Sequence, residues 1–153
     1  IMTLRLVLVR HGLSSFNAKG LIQGRTDDSF LTDQGYEQAA QAGDALTTIN
    51  FEKIYSSPLV RASETAKTIY KSLNTTENIV YDKKLLEVDL SSWSGLTISE
   101  IKTKYPDHYK FLTRLAFPNQ ETKAEAYQAM YDCSVFILGG YKQMQPQKKS
   151  LDN

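Results

Sequence analysis

Residues 4–9 are apolar at every position except Arg5, and the run stops abruptly at Arg10-His11-Gly12. So short and continuous an apolar stretch predicts a strand covered on both faces, with Arg5 near its open beginning. After a polar loop, Thr32 stands as an N-cap ahead of a helical pattern that puts Tyr36, Ala39, Ala40, Gly43 and Leu46 on one inner face. Residues 51–57 predict a second, more polar strand. Ser57-Pro58 then predicts a helix start, with proline at the first helical position, where its missing N–H costs little. Ala62, Ala66, Ile69 and Leu73 form that helix's inner face. Ile79-Val80-Tyr81 predicts a third strand, extended or followed by Leu85-Leu86-Glu87. Thr97-Ile98-Ser99-Glu100 has the capping-box pattern, and Pro106 limits the helix it opens. Weaker helical patterns occupy 107–116 and 121–133, and 135–138 predicts one more strand.

Strand–helix alternation predicts an α/β fold, a three-layer sandwich with a largely parallel central sheet. The expected organisation is one domain over residues 1–138. Residues 139–153 have neither period nor apolar face and read as a disordered tail.

Composition narrows the partners. At 153 residues the chain fits one domain, able to bury roughly 68–70% of its unfolded surface. A net charge of +1 gives no pull toward nucleic acid or membrane as the main partner. No apolar run approaches the ~20 residues of a membrane span, and the first residues lack a signal-peptide pattern. The single cysteine, Cys133, forms no internal disulfide and suits a cytoplasmic location. No metal or other cofactor is expected, because His, Cys and carboxylates nowhere cluster at ligand spacing.

The chemistry concentrates at strand ends. Ligands of open α/β sheets sit outside the carboxyl ends of strands, where Arg10 and His11 stand. A cation beside an imidazole points to an anionic ligand, and phosphate fits best. Arg61 follows the second strand and can converge on the same pocket, its planar fork suited to two oxygens at once. An arginine in a helix's first turn opposes the helix dipole; an anion bound there would offset this, and a solvated side chain is the alternative. Asn17 can add a side-chain hydrogen bond.

These residues fall into four blocks: Arg10-His11-Gly12 with Asn17; Gln23-Gly24, Leu31-Thr32, Gly35 and Gln38-Ala39; Ser57-Pro58-Leu59-Val60-Arg61-Ala62 with Thr65-Ala66; and Leu86-Glu87 with Trp93 and Gly95. In order and spacing they resemble the histidine phosphatase superfamily, which includes phosphoglycerate mutases and many phosphatases. The resemblance covers Leu4 to about Gly95. It implies that His11 is the nucleophile, forming a phosphohistidine that water or a second acceptor resolves. It implies that Glu87 is the general acid, with its pKa raised by partial burial. Arg10, Asn17, Gln23, Gly24 and Arg61 would hold phosphate or substrate, a small phosphorylated metabolite. Gln23 fits either the substrate mouth or a structural loop, and Trp93 reads as a packing residue. Phosphomonoester hydrolysis is the leading reading, toward which Gln23-Gly24 leans, and mutase-type phosphoryl transfer the alternative.

Members of the family also carry a second histidine late in the chain, after an apolar strand. Only His11 and His108 occur here, and His108 lies in Pro106-Asp107-His108-Tyr109, which predicts an exposed helical residue. Where the second histidine belongs, the chain reads Ile137-Leu138-Gly139-Gly140-Tyr141. The family pattern therefore stops after about Asp132, as a truncated, frame-shifted or diverged C-terminus lacking one or more strands would have it. An inactive phosphate-binding module or remnant is thus a third reading. Tyr105, Tyr109, Phe111 and Phe117 can cap the site or pack a helix on the core.

Overall fold

Among the described residues, three strands point one way and a fourth runs against them. The computed structural model describes residues 5–110 and 136–140. Its sheet has the order β1-β4-β2-β3, from β1 (Arg5–Val9), β2 (Lys53–Ser56), β3 (Ile79–Tyr81) and β4 (Phe136–Gly140). β2 and β3 pair parallel, with Ile54 opposite Ile79 and Ser56 opposite Tyr81. β4 pairs antiparallel with both β1 and β2, with Val7 opposite Leu138 and Tyr55 opposite Ile137. β1, β2 and β3 therefore share a direction, and the ends of β1 and β2 deliver Arg10 and Ser57 to the same edge. β4 takes in Gly139 and Gly140, two positions assigned above to the tail; 141–153 lie outside the described residues.

The helices are α1 (Ser15–Ala18), α2 (Asp33–Ala45), α3 (Val60–Tyr70) and α4 (Ile98–Lys104), with a 3-10 turn at Lys83–Leu85. Thr32 caps α2 as expected, its hydroxyl accepting from Gly35 N at 3.1 Å. The buried stripe of α2 is Gly35, Ala39 and Gly43; Tyr36 and Ala40, expected inside, are exposed. Close approach selects the smallest residues, since a Cβ on Gly43 would lie 3.0 Å from Ile69 O on α3.

α3 corrects a second expectation. It starts at Val60, with Leu59 at the cap in an extended conformation and no side-chain cap of its own. Asp27 Oδ1 instead accepts from Val60 N at 2.8 Å, while Ser57 Oγ accepts from Leu59 N at 3.3 Å within the preceding turn. A carboxylate here also meets the positive end of the helix dipole. Ala62, Ala66, Ile69 and Leu73 are buried as the pattern required. The 3-10 turn replaces the possible strand extension at 85–87. α4 has its capping box, Thr97 Oγ1 accepting from Glu100 N and Glu100 Oε2 from Thr97 N. It stops before Pro106, and residues 106–110 are helical again; the remainder of the helices expected at 107–116 and 121–133 lies outside the described residues.

Ala39, Phe51, Ile54, Ile69 and Leu73 form one buried cluster, against which Val7 and Val9 pack. Leu59, Ala62 and Ala66 form a second, again touching Val9. β1 is not covered on both faces: Leu6 and Leu8 are 52% and 63% exposed. Side chains alternate along a strand, and among the described residues of β1 it is Val7 and Val9 that pack against the buried clusters. Among the described residues, no helix is long and apolar enough to cross a membrane.

Candidate active site

The loop leaving β1 is pinned from several sides. Gly12 N donates to Thr65 Oγ1 at 3.1 Å, and Thr65 Oγ1 donates to Arg61 O at 2.8 Å. A Cβ on Gly12 would run into the backbone of Gly35, at the start of α2. Leu13 N donates to Gln38 Oε1 at 2.8 Å, and Leu13 O accepts from Thr32 N and Thr32 Oγ1. His11 is thus presented by a backbone with little freedom, its side chain buried. Its Nδ1 lies 2.6 Å from Gly12 O. A carbonyl only accepts, so Nδ1 carries a proton, and in the neutral ring the lone pair then falls on Nε2. That is the tautomer a nucleophilic Nε2 requires.

Arg61 is wholly buried in the first turn of α3. Its Nη1 donates to Thr26 O at 2.9 Å, and its Nη2 to Gly24 O at 2.7 Å and to Glu87 Oε2 at 2.9 Å. The Nε–H is buried with no partner among the described residues. Gly24 contributes through its carbonyl and its shape: its φ is +57°, a left-handed conformation that glycine adopts without strain, and a Cβ there would press on Leu90 at 3.0 Å.

Glu87 is 11% exposed at its side chain. Burial pushes its carboxyl above the ordinary carboxylate range; the Arg61 guanidinium, by charge and by hydrogen bond, and the charge of Arg10 pull the other way without reversing it. Desolvation outweighs attraction, which is the direction a general acid needs. Glu87 therefore joins the two arginines: Arg61 bonds it, and the field of Arg10, whose side chain is exposed, reaches it. A cavity of about 190 Å³ adjoins the loop, lined by Arg10, His11, Gly12, Gln38 and Thr65 among others.

Asn17 and Gln23 meet: Gln23 Nε2 donates to Asn17 Oδ1 at 3.1 Å. Gln23 is buried, which favours the structural side of its two readings. Trp93 is buried as a packing residue. His108 is exposed, its ring stacked on Tyr105 with centroids 6.3 Å apart. Tyr105 and Tyr109 are half-buried beside α4, and Phe111 and Phe117 fall outside the described residues. Sequence reasoning gave no role to Ser14, Asp27, Ser29 or the Thr65 hydroxyl. Thr65 was within reach, four residues from Arg61 on one helix face, as was Ser14, which caps α1 by accepting from Asn17 N. Nothing local marks Ser29.

The chain is 42% identical over 101 residues to a 2-carboxy-D-arabinitol-1-phosphatase of Triticum aestivum, covering 66% of this chain and 20% of that protein. It is 37% identical to a 2,3-bisphosphoglycerate-dependent phosphoglycerate mutase of Thermoplasma acidophilum, over 61% of this chain and 46% of the mutase. Among solved structures, a phosphoserine phosphatase from Entamoeba histolytica in complex with 3-phosphoglyceric acid matches with a TM-score of 0.61 and 34% identity, over 74% of this chain and 53% of that one. The chain thus spans from 20% to 53% of the length of these relatives. The model of the histidine phosphatase superfamily (branch 1) matches residues 6–146, and the chain belongs to that family.

Proposed function

We propose that this chain is the nucleophile-bearing part of a phosphatase that hydrolyses small phosphomonoesters through a phosphohistidine at His11. The observation that carries the reading is the buried Arg61–Glu87 pair beside the His11 loop: a cation whose Nε–H has no partner among the described residues, holding a carboxyl whose proton affinity is raised. In the first step His11 Nε2 forms a bond to phosphorus as the P–O bond to the leaving alcohol breaks. Glu87 gives its proton to the departing oxygen. In the second step Glu87 takes a proton from water, the water oxygen bonds to phosphorus, and the P–N bond breaks to release phosphate. Charge spread over the equatorial oxygens is met by Arg10, Arg61 and Asn17, as phosphoryl transfer demands. Gln23 and Gly24 support these groups by holding Asn17 and Arg61. A cytoplasmic place of action goes with the single cysteine.

Mutase-type transfer uses the same first step and a second alcohol in place of water, and the mutase among the relatives favours keeping it in view. A phosphate-binding module without turnover is the other reading, favoured by the exposed, Tyr105-stacked position of the chain's other histidine. Incubation with p-nitrophenyl phosphate separates them. Phosphate release abolished by His11→Ala supports the phosphatase. Saturable vanadate binding without turnover supports the module, and neither result overturns both.

A further inference from the structure

Ser29, Gln23, Ser14 and the half-buried Asn17 form a cluster in which Ser14 and Ser29 have no exposed surface and Gln23 only 5%. Two backbone amides set its polarity. Phe16 N donates to Ser29 Oγ at 3.1 Å, and Asn17 N donates to Ser14 Oγ at 3.3 Å. Both hydroxyls also sit on the same atom of Gln23, Ser14 Oγ at 2.6 Å and Ser29 Oγ at 2.7 Å. Ser14 Oγ has a second acceptor in Asn17 Oδ1 at 2.8 Å. Among the described residues, Ser29 has no other acceptor for its proton. If the Gln23 amide were turned, its nitrogen would face Ser29 and that buried hydroxyl proton would be stranded, a loss that outweighs an ordinary hydrogen bond. Gln23 Oε1 therefore stays toward Ser29, and Nε2 donates to Asn17 Oδ1 at 3.1 Å. Asn17 is left presenting Nδ2, a donor. With Gln23 turned, Asn17 would turn too and present an oxygen, which repels an anion.

We propose that Ser29 is a positioning residue: through the amide of Gln23 it fixes Asn17 with its donor end available to the phosphate. The inference rests on the reading of the site as a phosphate pocket. It is tested by calorimetric titration of inorganic phosphate into the full chain as wild type, Ser29→Ala, Asn17→Ala and the double variant, with each unfolding midpoint recorded. Ser29→Ala should weaken phosphate about tenfold, the scale of one hydrogen bond to a charged group. In the Asn17→Ala background the same change should cost less than about twofold, because the route through Asn17 is gone. Equal loss in both backgrounds, or no loss, overturns the proposal. Should Ser29→Ala not fold, Ser29→Cys, near in size and a weaker proton donor, carries the same cycle with the same outcomes. Should the wild type take up no phosphate, the pocket reading fails. Ser29 is then judged from the side-chain amide NMR signals of Gln23 and Asn17 without ligand: shifts on Ser29→Ala support it, and unmoved signals overturn it.

Discussion

Arg61 Nη2 and Glu87 Oε2 are 2.9 Å apart, yet burial holds the Glu87 carboxyl above the ordinary carboxylate range rather than below it. An exposed pair at that distance would favour the charged form. Here burial of the carboxyl wins, and the guanidinium is shared with the carbonyls of Gly24 and Thr26.

The sign of the pH effect follows. Folding raises the proton affinity of Glu87, so its contribution to stability is fully present below the unfolded value. It is lost as pH rises through the higher folded value. A carboxyl-detected NMR titration should find Glu87 above the ordinary 4.5. In the same window, turnover dependent on a protonated Glu87 should fall with rising pH.

Removing the guanidinium exposes how much it restrains Glu87. Arg61→Ala should raise the Glu87 pKa further and destabilise the chain by about 3–5 kcal/mol, the usual cost of breaking a buried pair. Urea unfolding and the same titration check both halves, and phosphate affinity should fall with them.

Thr65→Val keeps the volume of the side chain and deletes the hydroxyl that receives the Gly12 N–H. A stranded buried donor should cost about 1–3 kcal/mol, seen as a lower urea midpoint. Thr65→Ser, which retains the acceptor, should lose much less.

Gly12→Ala should also be destabilising, because the added methyl meets Gly35 backbone rather than a yielding side chain. A loss of about 1–3 kcal/mol from overpacking is expected, together with loss of phosphate release. Thermal unfolding and the phosphatase assay measure the two effects separately.

Asp27→Ala removes the only side-chain acceptor at the first amide of α3 among the described residues. About 1 kcal/mol of stability should go with it, the ordinary cost of a lost cap. A urea midpoint unchanged within error would show that solvent serves the Val60 amide equally well.

Strand ends, helix caps and small-residue stripes were legible because each depends on residues close in sequence: Thr32 with Gly35, Thr97 with Glu100, Ala62 with Ala66. The start of α3 was misread because its cap, Asp27, comes from 33 residues away, which no local pattern records. The facing of α2 was misread for a related reason, since Tyr36 and Gly35 are distinguished only by how near α3 must come. Motifs located the site's charged groups, but the Ser29 contact with Gln23 depends on how a loop folds back, and a serine there looks like any other.

Val9 packs against both core clusters and stands two residues before His11. Damage to either half of the interior is therefore expected to travel along one short piece of β1 into the His11 loop. In a library of random substitutions, positions such as Ile69 and Ala66 should score as inactivating although they never touch substrate. Telling a chemical defect from a folding defect in this protein thus requires measuring both on every variant.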